Sequence, residues 1–450
     1  MANIRLPAIL GNNMVLQQQS IVKLWGWAVP GEKIIVQTSW NNKTDSTIAT
    51  RDANWLINIQ TPSAGGPYMI NLNGENRIVL NNIMIGEVWI CSGQSNMEWG
   101  YRQGLQDIKD ELPVCNNPQI RFFNIPKTTA DYPQDDCQGE WTICDSNSLK
   151  AFSAIGYFFG KKLNQELKLP VGLINDNWGG TPAEVWTPAE VVNNNPALEK
   201  ASKLLKAYNW WPYLPGKTFN GMISPITNFF IAGALWYQGE GNTINPSSYT
   251  ELLNTMVDAW RKAWNKDFPF YYVQIAPFHY GNRNVGALIR EAQTRSMSHA
   301  GMGMVVITDL VDDTTNIHPK NKKDPALRLA NLALSDTYHR EGIPYKSPFY
   351  KNLTIKGEEA IISFDNAGGG LNMKGKKIID IYIAGADKVF YSAEGKLDHD
   401  RLIVWNKQVS DPVAVRYAFS NTEIGNLFSK DGLPVAPFRT DNWEVDTSAY

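Results

Sequence analysis

Between residues 84 and 332 apolar runs alternate with segments of helical spacing, and this alternation most restricts the possible folds. The runs are Met84 to Cys91, Val171 to Asn175, Ile231 to Tyr237, "FPFYYVQIA" at 268–276 and "GMVVITDL" at 303–310. Between them, Phe152, Ile155, Phe159, Leu163 and Leu167 recur at the helical period, with Ser153 placed to cap them. Further helices are expected on Leu252, Leu253, Met256, Trp260 and Trp264, from Val285 to about Met297, and from an Asp324-Pro325 start. Continuous apolar strands separated by helices imply a parallel sheet covered on both faces. The expected architecture is an α/β sandwich with a five-stranded parallel sheet over residues 81–345. In such sheets ligands bind outside the carboxyl ends of the strands, so each polar motif is judged by whether it directly follows a strand.

The flanks have another texture. Residues 1–80 show short alternating runs (Ile21 to Trp27, Lys33 to Thr38, Trp55 to Gln60, Tyr68 to Leu72) broken by Pro-Gly, Asn-Asn-Lys and Gly-Gly, the pattern of a small β-sandwich. Residues 346–450 return to strands such as "KKIIDIYIAG" and "PVAVRYAF". The Gly-rich "NAGGGLNMKGKK" at 366–377 lies between two of them and lacks phosphate-loop spacing, so it is expected to be a hairpin turn.

Charge and composition exclude several classes. With 42 basic and 44 acidic residues the net charge is −2, which gives no general attraction for nucleic acid. No apolar run is long enough for membrane insertion. The four cysteines lack metal spacing, so no metal is expected; Cys91 belongs to an apolar strand, Cys115 lies in a loop-rich stretch, and Cys137 with Cys144 could pair in an oxidising compartment. The start, "MANIRLPAIL", has no signal-peptide pattern, which also fits a mature N-terminus behind an added Met. Aromatics are abundant, with 16 Trp; packing is their commonest use, although clusters such as Trp210-Trp211-Pro212-Tyr213 also stack against sugar rings.

Four polar clusters pass the strand-end test: Gly93-Gln94-Ser95-Asn96, Trp178-Gly179-Gly180-Thr181, Gln238-Gly239-Glu240-Gly241-Asn242, and Asp309 through His318-Pro319. Serine is a poor nucleophile unless a base takes its proton, and histidine is the usual base near neutral pH. Of five histidines, His279 follows a strand and is a fallback, while His299, His339 and His399 sit at helix ends or in the C-terminal β region. His318 combines a strand-end loop, nearby carboxylates and a stiffening Pro319. Acyl transfer also needs donors for the developing oxyanion; the backbone N–H groups of Ser95 and Gly180 and the Gln238 side-chain amide are the available trio. The G-x-S-x-G elbow is not satisfied, and Ser before His excludes a chymotrypsin-like order.

The blocks "GQSNMEW", "NWGGTPAEVW", "ALWYQGEGN" and "DLVDDTTNIHPKNK" resemble the sialate O-acetylesterase family of carbohydrate esterases, within the SGNH-hydrolase superfamily. "LQQQSIVKLWGWA", "FNGMISPI" and "GLPVAPFRTDNW" extend the resemblance over most of the chain. It implies a flavodoxin-like catalytic domain flanked by N- and C-terminal β-domains, an acetylated carbohydrate as substrate, no cofactor, and export to the periplasm or beyond. Carried onto this sequence, it makes Ser95 the nucleophile, His318 the base, and Ser95, Gly180 and Gln238 the oxyanion hole. Gln94, Asn96 and Glu240 fall at substrate-binding or loop-supporting positions. Many SGNH enzymes carry Asp three residues before the His; here that residue is Thr315. The group orienting His318 is therefore expected to be Asp309, with Asp312, Asp313, Glu240 or a backbone carbonyl as alternatives. The sugar stays open between sialic acid and plant polysaccharide such as xylan. An arginine at the pocket would favour an acidic sugar, with Arg102, Arg283 and Arg290 as candidates.

Overall fold

The computed structural model describes residues 3–450. The chain forms two compact units, one of residues up to 236 together with 252–270, the other of 237–251 and 271–450.

The first unit opens with strands β1 (Val15–Gln17), β2 (Ile21–Trp27), β3 (Lys33–Thr38), β4 (Thr44–Ile48), β5 (Asn54–Gln60) and β6 (Gly65–Asn73). β2 pairs antiparallel with β5, and β3 with β4 and β6. In β5 the alternating burial of "NWLINIQ" puts Trp55, Ile57 and Ile59 inside, as a half-buried strand requires. The all-β reading of this segment holds, but its boundary at residue 80 falls inside β7 (Arg77–Gly93). This 17-residue strand pairs with β6 and β1 through its first half and with the catalytic sheet through its second. Its second half is buried throughout, so residues 83–93 are apolar or small apart from Glu87, whose oxygens accept from the Gln17 and Gln18 side-chain amides at 2.9 and 2.7 Å.

After β7 come a one-turn helix α1 (Ser95–Glu98), β8 (Asn117–Asn124), β9 (Trp141–Cys144), α2 (Ala154–Leu167), β10 (Val171–Asn177) and β11 (Gly233–Tyr237). The strands lie in the order β11-β7-β10-β8-β9. β10 is parallel to both β7 and β8, and β9 is antiparallel to β8, which makes the sheet mixed rather than purely parallel. β8 was not expected. Its "NPQIRFFN" begins with a proline-containing turn and carries Arg121 where a core strand carries an apolar residue. Arg121 is only 2% exposed, and its Nε donates to the Pro118 carbonyl at 2.8 Å.

α2 follows the expected period, and Ser153 Oγ accepts from the Gly156 amide at 3.0 Å as a cap. It buries Ile155, Phe158, Phe159 and Leu163, each worth about 1.5–3 kcal/mol of transfer free energy. Gly160 lets this helix lie on β10, because an added Cβ would press on Leu173. A second aromatic core sits on β11, where Trp236 meets Trp186 and Trp260 edge-on, each at 6.0 Å. Trp260 lies on α3 (Tyr249–Trp264).

The thiols differ from expectation. All four are free, and Cys144 lies beside Cys115 rather than Cys137, its Sγ donating to the Cys115 carbonyl at 3.1 Å. The cause is register: β8 and β9 set Asn117 opposite Cys144, which brings the residues just before Asn117 alongside.

The second unit contains β12 (Phe270–Val273), α4 (Val285–Ser296), β13 (Met302–Val305) and α5 (Lys323–Leu332). α5 starts one residue before the expected Asp324 cap, with Asp324 in its first turn and bonded reciprocally to Asn321. The C-terminal strands include β14 (Phe349–Lys356), β15 (Glu359–Asp365), β16 (Leu371–Met373), β17 (Ile381–Ala384), β18 (Phe390–Ser392), β19 (Glu394–Asp398), β20 (Arg401–Trp405) and β21 (Ala414–Tyr417). They form antiparallel sheets, β14-β15-β20-β19 and one centred on β17-β21, around Ile362, Leu402, Val404, Ile383 and Val415. The expected boundary near 345 lies within this unit. Among the described residues no helix is long and apolar enough to cross a membrane.

Candidate active site

In the first unit the carboxyl ends of β7 and β10 bring two of the four polar clusters together. Ser95 is the first residue of α1, which is a single turn closed by the Glu98 and Trp99 amides on the Gln94 and Ser95 carbonyls at 3.0 and 2.9 Å. Such a first-turn amide has no acceptor within its own helix. Ser95 is half-buried at the surface of its loop, whereas Asn96 is fully buried and Gln94 nearly so.

Gly179 packs directly against the serine. A Cβ there would lie 3.3 Å from Ser95 Cβ and 2.9 Å from Glu98 Oε2. Glu98 accepts the Gly179 amide at 2.7 Å through Oε2 and the Lys127 ammonium at 2.7 Å through Oε1. A charge-assisted bond of this kind is about twice as strong as a neutral one and fixes the Trp178–Gly179 peptide plane, one peptide ahead of the Gly180 N–H. Gly180 has φ +85°, and an added Cβ would collide with the Trp211 ring. Thr181 completes the clamp by donating to the Trp178 carbonyl at 2.7 Å while accepting from Trp186 Nε1 at 2.9 Å. Trp211 itself stacks on Tyr208 with centroids 4.0 Å apart, and Trp210 stands 77% exposed beside it. Within the aromatic cluster one ring is thus packed on the loop and one faces solvent. Sequence reasoning missed Glu98. Its signal was a carboxylate three residues after the serine, one helical turn away.

In the second unit the loop after β11 is held by a buried amide network. Tyr249 Oη donates to Gln238 Oε1 at 2.8 Å, Gln238 Nε2 donates to Asn242 Oδ1 at 2.8 Å, and Asn242 Nδ2 donates to Asn245 Oδ1 at 3.1 Å. Gln293 Nε2 binds the Gln238 carbonyl at 3.0 Å. The Gln238 side chain and carbonyl are therefore held by Asn242, Tyr249 and Gln293, with Asn245 behind Asn242, partners that the sequence reading did not name. Glu240 is buried; Lys322, also fully buried, has its Nζ 5.6 Å from the Tyr237 ring centroid. Burial draws the Lys322 ammonium down to about 7, while the Glu240 charge opposes that fall. Glu240 thus lies close enough for its charge to act on Lys322.

His318 is partly exposed on the loop before α5, its backbone N–H bonded to Asn316 Oδ1 at 3.0 Å. Asp309, the expected orienting carboxylate, has another partner. Both its oxygens take the Arg328 guanidinium at 2.7 Å, a bidentate pair from α5. Asp313 accepts the Thr315 amide at 2.8 Å, and Asp312 is exposed. The bidentate fit of a planar guanidinium explains why Asp309 goes to Arg328. Of the three arginines considered, Arg283 pairs with Asp446 at 3.4 Å and Arg290 is fully buried, donating to the Ser420 carbonyl. Arg102 alone lines a recess, described below.

One buried acid stands apart. Asp176, on β10 opposite Ser92, is fully buried and neither carboxyl oxygen has a hydrogen-bond partner among the described residues. Burial alone pushes its carboxyl up to about 8. A carboxyl whose pKa rises on folding contributes stability that is fully present below the unfolded value near 4 and is lost as pH rises through about 8. The neutral isostere Asp176→Asn is therefore expected to melt higher than wild type at pH 8 to 9, with the difference vanishing toward pH 4. Thermal melts across that range check it; a constant offset would contradict a titrating acid.

The family model described as "Carbohydrate esterase, sialic acid-specific acetylesterase" matches residues 85–334, more than half of the chain. Similar curated proteins include the sialate O-acetylesterases of Homo sapiens, 25% identical over 400 residues (80% of this chain, 76% of that protein), and Mus musculus, 24% identical over 424 residues (80% and 78%). A crystal structure of a carbohydrate acetylesterase from Xanthomonas citri superposes with a TM-score of 0.89 at 33% identity, covering 98% of this chain and 100% of that one. The chain belongs to the sialic acid-specific acetylesterase family of carbohydrate esterases.

Proposed function

We propose that this protein removes O-acetyl groups from carbohydrate through an acetyl-enzyme on Ser95, an activity suited to the periplasm or the cell exterior. Ser95 Oγ attacks the acetyl carbonyl carbon while His318 takes its proton. The Ser95 and Gly180 N–H groups and the Gln238 amide hold the oxyanion. On collapse the C–O bond to the sugar breaks and His318 returns the proton to the sugar oxygen. Water, deprotonated by the same imidazole, then releases acetate. His318 works without Asp309, whose charge is spent on Arg328. The observation that carries this reading is the close packing of Gly179 on Ser95, with Glu98 holding the Trp178–Gly179 peptide of the loop that presents the Gly180 N–H, since oxyanion donors are effective only when fixed beforehand.

Acetate release from acetylated sialoglycan and from acetylated xylan, beside chromogenic acetyl and octanoyl esters, tests the reading. Release from at least one glycan is expected, with acetyl turnover well above octanoyl. Equal turnover of the octanoyl ester would make the protein a general lipase-like esterase. No release from any ester would leave a carbohydrate-binding protein.

A further inference from the structure

The first unit contains a recess of about 300 Å³ behind the serine loop, at the carboxyl ends of β8 and β10. Glu98 is the shared wall: it lines the recess and holds the Gly179 amide. The size is at the small end of ligand sites, which span roughly 300–1,000 Å³, and suits one sugar ring.

Its floor is a chain of amides. Asn177 Nδ2 donates to Asn175 Oδ1 at 2.5 Å, and Asn175 Nδ2 donates to Asn124 Oδ1 at 2.9 Å. The chain ends on Asn124 Nδ2, a donor with no protein partner among the described residues. Its walls carry Arg102, Lys127 and Lys150 against the single carboxylate of Glu98. That carboxylate already pairs with Lys127 at 2.7 Å. Arg102 and Lys150 have no ion-pair partner among the described residues, and Lys150 instead lies 5.6 Å over the Tyr101 ring. On a chain with net charge −2 this local positive excess is not a background property. Two cations without a carboxylate partner, an aromatic ring and an end-of-chain amide donor match a sugar ring carrying a carboxylate: guanidinium and ammonium for the anion, the amide for a hydroxyl, the open face of Tyr101 for the ring.

We propose that this recess is a second sugar subsite that takes a carboxylate-bearing residue of the glycan, next to the acetylated one. The proposal rests on the esterase reading for the word substrate, but binding in the recess does not depend on turnover. The experiment titrates glucuronate and glucose into the full-length protein, followed by ligand-observed NMR, for wild type, Ser95→Ala and the double variant Arg102→Ala/Lys150→Ala. Glucuronate is expected to bind at least about tenfold more tightly than glucose, and the double variant to lose about that factor while Ser95→Ala keeps it. Added salt is expected to weaken glucuronate binding to wild type and leave glucose unaffected, a measurement that needs no variant. Unchanged aryl acetate turnover in the double variant confirms that it is folded. Equal affinity for the two sugars, or salt-independent glucuronate binding, overturns the subsite and leaves the esterase reading intact. Loss of acetate release with glucuronate binding retained would do the opposite.

Discussion

Ser95→Ala is expected to lower kcat for acetate release by at least about a thousandfold with KM little changed, because it removes the nucleophile and no substrate contact. His318→Ala is expected to fall about as far, since a serine without its base keeps its proton. The double variant should be no worse than either single one, as groups acting in one step are strongly non-additive. The residual rate would come from the donors that Glu98 and the Gln238 network hold in place. Single-turnover assays with a chromogenic acetate, beside intact mass spectrometry for an acetylated protein, read this out. A Ser95→Ala variant that still turns over at near wild-type rate, or becomes acetylated elsewhere, sinks the mechanism. Full activity in His318→Ala would pass the base to another group, with His279 next in line.

The second large effect is expected at Gly180. Its φ of +85° lies in the left-handed region, which costs an ordinary residue about 1–2 kcal/mol. A Cβ would also strike Trp211, so the loop must move. Because Gly180 supplies an oxyanion donor in the proposed mechanism, Gly180→Ala is expected to lower kcat by about 10²–10³-fold with only a modest fall in Tm. The split matters: a large loss of Tm with kcat preserved in the folded fraction would mean that Gly180 serves the fold alone. Trp211→Ala removes the collision partner and should restore part of the rate when combined with Gly180→Ala. A rescue of that kind is expected only if the collision, not the backbone conformation, dominates.

Some of the molecule was legible before any coordinates. The five apolar runs all became strands, because a strand buried on both faces must be apolar at every position. α2 and α4 matched their expected spans closely, since their apolar period and end residues are local signals. β8 was hidden because Asn117, Pro118, Gln119 and Arg121 break its apolar run, and Arg121 is satisfied by the Pro118 carbonyl and the Asn13 and Asn82 side chains, which no periodicity reports. Cys144, which the sequence allowed to pair with Cys137 in an oxidising compartment, lies beside Cys115 because strand register, not loop proximity, decides which thiols meet.

At the site the division has the same cause. Residue type and strand-end position pointed to Ser95, Gly180, Gln238 and His318, because a nucleophile, amide donors and an imidazole have to sit where strands stop. What each side chain bonds to could not be read off. Glu98 reaches Gly179 across 81 positions of sequence, and Asp309 turns to Arg328 across 19. Neither separation leaves a trace in composition or period. The sequence alone determined the layered α/β core and the chemical types at its strand ends, since burial and hydrogen-bonding capacity belong to individual residues. Only the tertiary structure decided the partners, the burial of Asp176 and the charge of the recess beside Arg102. Those depend on distances between residues far apart in the chain, and folding alone sets such distances.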